Sequence, residues 1–204
     1  MLKKVYKSNY LKLFCLVILS LCLDYFFLNH INHPPAWDQG YHLSNLFKMN
    51  NISYLYNDDF NLILENALNI TDSYRGPFTY LISSILLKIT GNSYKFAYLS
   101  NHIFIFITII SIYKLGKILK NKQIGIYASI IFIFNPFVFN QRIDYLIDLS
   151  LTAFSTLAFL ALTNWFISNK IINKFSIFYG IFIGFVFLIK PTGISLFFLS
   201  TIIL

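Results

Sequence analysis

The chain has little charge for its size. Of 204 residues only 12% are Asp, Glu, Lys or Arg, against 57% hydrophobic, and the mean hydropathy is +0.65. A soluble domain of this length carries about a quarter charged residues. The apolar residues run in long blocks, so a water-soluble globule is excluded in favour of a polytopic membrane protein. Cysteine is nearly absent. Cys15 and Cys22 both fall within the first apolar block and no thiol lies in a loop, which leaves no framework for a disulfide or a thiolate metal site and reads as small packing residues. The histidines lack metal-ligand spacing, and no glycine pattern matches a phosphate loop. There is no internal repeat, heptad array or low-complexity linker. The short apolar core and small-residue cleavage site of a signal peptide are missing too, so the first block is expected to be retained.

What is present is a patterned set of charges. The net charge of +8 comes from lysines placed between apolar blocks rather than in one patch, which argues for membrane orientation and against nucleic acid. Lys3, Lys4, Lys7 and Lys12 precede a span at 11–30. Residues 31–95 form an outer loop, within which 77–89 is about 20 Å of helix, too short for a core of about 30 Å. It is expected to lie amphipathic or half-buried on the outer face. Spans follow at 96–113, 124–140, 147–168 and 175–189, with Asn135-Pro136 as a tolerated kink. Lys114, Lys117, Lys120 and Lys122, and then Lys170 and Lys174, mark cytoplasmic loops. An apolar stretch at 192–204 reads as a truncated sixth span. The expected organisation is a single membrane domain over 1–204, the N-terminal part of a larger protein, with a cytoplasmic N-terminus.

This threading places Asp38, Asp58, Asp59, Glu65, Asp72, Asp144 and Asp148 outside, with only Asp24 inside a span, where it either snorkels outward or pairs within the bundle. Asp38 sits in Pro34-Pro35-Ala36-Trp37-Asp38-Gln39-Gly40-Tyr41-His42. In a helix opening at Trp37, Asp38 and His42 share a face with Tyr41 and Asn45 adjacent. The group could hold a divalent cation, orient a sugar hydroxyl or use Asp38 as a general base; the alternative is that Asp38 caps the helix. Asp144 and Asp148, at i and i+4, are expected to stack at the entry to the fourth span. The alternative there is that Asp144 caps the helix with Arg142 as its partner. Arg75, Arg142 and Lys190 supply three cations toward the same outer pocket, a set suited to phosphate, although each alone could be a snorkelling residue.

Taken in order, Asp38, Arg75-Gly76-Pro77-Phe78-Thr79-Tyr80, Tyr113-Lys114-Leu115-Gly116, Arg142-x-Asp144-x-x-x-Asp148 and Lys190-Pro191-Thr192-Gly193 resemble the N-terminal half of C-type membrane glycosyltransferases. The nearest group is the dolichyl-phosphate-mannose–protein mannosyltransferases and their bacterial relatives, the lipid A aminoarabinose transferases. The resemblance implies an all-α transmembrane helix bundle with extracytoplasmic juxtamembrane helices. It also implies a polyprenyl-phosphate-linked sugar donor, an active site on the extracytoplasmic face, and Asp38 as catalytic base. The expected acceptor is a lipid, glycan or protein, and the expected location a bacterial plasma membrane. His42, Tyr41, Arg75, Arg142, Asp144, Asp148 and Lys190 are then substrate-binding. No cofactor is certain; a divalent cation at Asp38 and His42 is one option. Where these mannosyltransferases commonly carry Asp-Glu, this chain has Asp38-Gln39, and their basic-Pro-Pro becomes Arg75-Gly76-Pro77. Two rival readings are a transporter or lipid flippase, and a truncated non-catalytic membrane protein.

Overall fold

A computed structural model describes residues 2–30, 36–55, 60–70, 74–91, 93–168 and 170–198. Asp58, Asp59 and Asp72 and the end of the sixth apolar stretch lie outside the described residues. Among those described, every regular element is helical: α1 (Leu2–His30), α2 (Trp37–Leu55), α3 (Phe60–Ile70), α4 (Phe78–Thr90), α5 (Tyr94–Leu99), α6 (Asn101–Leu119), α7 (Lys122–Ile133), α8 (Pro136–Ile143), α9 (Asp148–Ile167) and α10 (Lys174–Ile189), then a 3₁₀ turn, Pro191–Ile194.

Among the described residues three helical stretches are long and apolar enough to cross a membrane, Asn9–His30, Lys95–Leu119 and Asp148–Ile167, and the bent pair Lys122–Ile133 and Pro136–Ile143 makes a fourth if it is one span. Their outer surfaces carry Phe14, Ile18, Phe26 and Phe166 exposed, as a hydrocarbon-facing wall requires. Cys15 and Cys22 are also exposed on α1 rather than packed, a correction that follows from α1 burying the stripe Leu13, Val17, Asp24 and Leu28 instead.

The kink expected at Asn135-Pro136 is a break. Helices α7 and α8 meet at 59°, because Pro136 cannot donate to the preceding turn and the Asn135 side chain instead caps α8 by accepting from the Phe137 amide at 2.8 Å. The crossing of α6 and α7 is close. A Cβ on Gly125 would lie 2.4 Å from the Tyr113 carbonyl oxygen, so only glycine fits there.

The short helix read from its length is present as α4, of 13 residues. It buries Thr79, Tyr80, Ser83, Ser84 and Leu87, a hydroxyl-rich face. Phe78 stacks on Phe185 with centroids 4.4 Å apart and meets Phe154 edge-on, and Thr79 bonds Ser150. These contacts fix α4 against α9 and α10, at the end of the bundle where α9 starts and α10 finishes.

Candidate active site at one end of the bundle

Four segments converge at that end. Helix α2 opens at Trp37, with the Ala36 carbonyl accepting from the Gly40 amide at 2.8 Å, so Asp38 is the second helical residue and not the N-cap. Its carboxylate is 70% exposed, and Oδ1 lies 3.6 Å from Nη2 of Arg75. The Arg75 guanidinium also lies over the Tyr41 ring, 4.6 Å from its centroid. That stacking orients a planar cation beside the acid.

Arg75 is positioned by its neighbour. The Gly76 amide donates to the Ile189 carbonyl at 2.9 Å, and a Cβ on Gly76 would fall 1.8 Å from the Leu188 carbonyl oxygen. The loop can approach the end of α10 only as glycine. Lys190 follows directly, its backbone carbonyl accepting from Gly193 at 2.8 Å, and its Nζ is 3.6 Å from Oδ1 of Asp148. Two half-exposed acid–base pairs, Asp38–Arg75 and Asp148–Lys190, therefore stand on segments tied by one backbone bond.

The expected stacking of Asp144 on Asp148 does not form. Asp144 ends α8 in extended conformation, φ −105° and ψ 132°, and α9 begins only at Asp148, so the two carboxylates do not share a helical face and take separate partners. Asp144 is hydrogen-bonded by Gln39; burial pushes its carboxyl above the usual carboxylate range, and that bond opposes the shift. The residue beside Asp38 thus ties α2 to the α8–α9 connection.

Arg142 does not join Arg75 and Lys190. It is 4% exposed, and forms a bidentate pair with Asp24, Nε to Oδ2 at 2.6 Å and Nη2 to Oδ1 at 3.0 Å. Its Nη1 donates to the Ile133 carbonyl freed by the helix break. His102 Nε2 lies 3.0 Å from the same Asp24 carboxylate, which is fully buried. Of the two readings of Asp24, the structure selects pairing within the bundle. Asn101 then holds α8 from below, donating to the carbonyls of Asp144 at 2.9 Å and Arg142 at 3.1 Å.

His42 is placed elsewhere as well. It is buried, with Nδ1 2.6 Å from the Tyr80 hydroxyl, while Asp38 faces outward. Among the described residues no three His, Cys, Asp or Glu side chains come together as a metal site. Sequence reasoning passed over Asn101, His102, Gln39 and Tyr80 as parts of this network. The acid inside the first span, Asp24, was the signal in the sequence, since pairing within the bundle was one of its two readings.

A family model described as dolichyl-phosphate-mannose-protein mannosyltransferase matches residues 74–204. The chain belongs to that family. The match begins at the Arg75 loop and carries through Arg142, Asp144, Asp148 and Lys190, leaving α1, α2 and α3, and with them Asp38, upstream of it. Membership of the mannosyltransferase family makes the chain a membrane glycosyltransferase with an all-α fold. No curated protein and no solved structure matches the chain.

Proposed function

We propose that this mannosyltransferase-family protein moves a sugar from a polyprenyl-phosphate donor to an acceptor hydroxyl at the extracytoplasmic surface. In this reading the Asp38 carboxylate removes the acceptor proton, and the acceptor oxygen bonds to the anomeric carbon. The bond from that carbon to the phosphate oxygen breaks, and the electron pair leaves with the polyprenyl phosphate. A phosphate leaving group is a weak base and needs no protonation, so one acid–base residue is enough where a glycosidase uses two. Charge gathers on the departing oxygen, and Arg75 and Lys190 are placed to neutralise it.

The observation that carries this reading is the Gly76–Ile189 backbone bond, which brings the Arg75 loop and the Lys190 end of α10 together beside two acids. At rest each cation is neutralised by a carboxylate. A donor phosphate competes for Arg75, and Asp38 is then left uncompensated next to the acceptor, more basic when it is needed. Asp144, Gln39 and Asp148 line the approach, with Tyr41 as the platform for Arg75. His42 acts through Tyr80, by holding α2 against α4. The short α4 lies at the outer membrane surface in the same reading, with spans at about 124–140 and 175–189 completing the bundle.

The experiment is transfer from a radiolabelled polyprenyl-phosphate sugar by membranes carrying the wild type, Asp38→Asn or Arg75→Ala. Asp38→Asn should lower turnover by about 10²–10⁴-fold while photo-crosslinking to the donor persists. Arg75→Ala should weaken donor crosslinking. Undiminished transfer by Asp38→Asn would remove Asp38 from the mechanism. Vectorial movement of the donor lipid without transfer would favour a flippase instead.

A further inference from the structure

Helix α2 has a polar face with one residue out of place on it. The helix buries Leu43, Leu46 and Met49. On the opposite side Trp37, Ser44, Lys48 and Asn51 are all exposed, and their spacing puts them on one stripe, two, three and four turns after Trp37. Serine, lysine and asparagine make that stripe a surface for water. Trp37 heads it with 90% of its surface exposed. A tryptophan of a membrane-interface belt keeps its apolar ring against the bilayer, whereas this stripe turns to water.

The same turn holds a glycine that packing does not explain. Gly40 lies three residues after Trp37 and so beside it on the helix surface. Glycine weakens a helix interior, and at Gly76 and Gly125 a crowding backbone accounts for it. At Gly40 a Cβ would meet nothing within 4 Å. The helix therefore carries a notch beside an open indole. On the other flank of Trp37 stand Tyr41, which carries the Arg75 guanidinium, and then the Asp38 carboxylate.

A flat aromatic face, a gap next to it and a carboxylate at its edge select a ligand with matching parts. A pyranose has them. One side of the ring is a patch of C–H groups, slightly positive and attracted to the electron-rich face of an indole. Its rim is hydroxyls, which donate to a carboxylate. A serine or threonine in an extended peptide brings the hydroxyl but no flat face for the indole.

We propose that the acceptor is a glycan whose terminal pyranose stacks on Trp37, lies over the Gly40 notch and turns one hydroxyl to Asp38. This deepens the transferase reading and rests on it. The acceptor proton still goes to Asp38, the acceptor oxygen bonds to the anomeric carbon, and the polyprenyl phosphate leaves with the electron pair. Trp37 positions the ring and so decides which hydroxyl is presented.

The chain supplies its own reporter, since Trp37 and Trp165 are its two tryptophans. In a Trp165→Phe background, Trp37 emission is read in phosphatidylcholine nanodiscs free of glycoside detergent. Methyl glycosides of gluco-, galacto- and mannopyranose are titrated singly, with glycerol and a Ser/Thr-rich peptide as comparators. At least one pyranoside should shift the emission saturably, and neither comparator should. Gly40→Leu fills the notch, adds no charge and strengthens the helix; it should abolish the shift. With the responding pyranoside as acceptor, Trp37→Ala should raise KM about tenfold with little change in kcat. Trp37→Phe should recover most of that loss.

No response to any of the pyranosides overturns the proposal, as does a response to the peptide or one that survives Gly40→Leu. Quenching of Trp37 by brominated phosphatidylcholine would put the ring in the bilayer and overturn it as well. Asp38→Asn separates this proposal from the mechanism beneath it: transfer should stop while the Trp37 response persists. Full transfer by Asp38→Asn with the response intact would remove the base and support the platform.

Discussion

The backbone amide of Gly76 donates to the carbonyl of Ile189 at 2.9 Å, and through that bond the cations on either side, Arg75 and Lys190, become neighbours of Asp38 and Asp148. The charged end of the molecule is therefore positioned by main chain, with side chains following.

Gly76→Ala is the most direct way to disturb it. A methyl group would meet the Leu188 carbonyl at 1.8 Å, and backbone oxygen cannot rotate aside. The loop must lift, at a cost on the order of 1–3 kcal/mol, and Arg75 moves with it. Transfer should fall at least tenfold, with a lower thermal midpoint in detergent. An unchanged midpoint and rate would mean that the loop has room to spare.

The buried pair gives a second prediction. Removing one charge leaves the other uncompensated in the bundle, so Asp24→Ala or Arg142→Ala should destabilise by about 3–5 kcal/mol. Arg142→Lys should rescue little, because an ammonium cannot make the two parallel bonds to Asp24 and reach the Ile133 carbonyl at once. If Arg142→Lys matched the wild type in a thermal melt, the bidentate geometry would carry no weight.

Asp144 makes stability depend on pH with a definite sign. Its folded pKa is raised above the usual 3.8 by burial, so the folded state favours the protonated form. That contribution is fully present at low pH and is lost as pH rises through the raised value. Asp144→Asn removes the titration. The midpoint of Asp144→Asn minus that of the wild type should increase as pH climbs from about 3.5 upward, and a difference flat in pH would exclude the effect.

Gln39 gives a fourth prediction. The amide donates to Asp144, and Gln39→Glu would replace that donor by a second carboxylate, raising the Asp144 pKa further. Gln39→Glu should therefore be destabilising at neutral pH, and the loss should shrink in a Gln39→Glu/Asp144→Asn double variant. Additive losses in the double-mutant cycle would show that the two groups do not interact.

Much of this architecture was legible in the sequence. Apolar run lengths and lysine clusters are one-dimensional signals, so the long spans and the short helix α4 could be read directly. Asp38, Arg75, Asp148 and Lys190 were legible as charges at helix mouths. The choice of partners was not. Arg142 and Asp24 are 118 residues apart, and nothing local decides whether the guanidinium faces outward or inward. The 59° break decides it, by exposing the Ile133 carbonyl inside the bundle. Likewise the i,i+4 spacing of Asp144 and Asp148 suggested one face only on the assumption that the helix was already formed at Asp144, and it starts four residues later.

The break between α7 and α8 has a hereditary consequence. An open carbonyl, the guanidinium that occupies it and the carboxylate that balances the guanidinium come from three helices, yet none is tolerable without the other two. Pro136, Arg142 and Asp24 should accordingly be kept or lost together as relatives diverge, and His102 should tolerate exchange more readily because it adds to a carboxylate already neutralised.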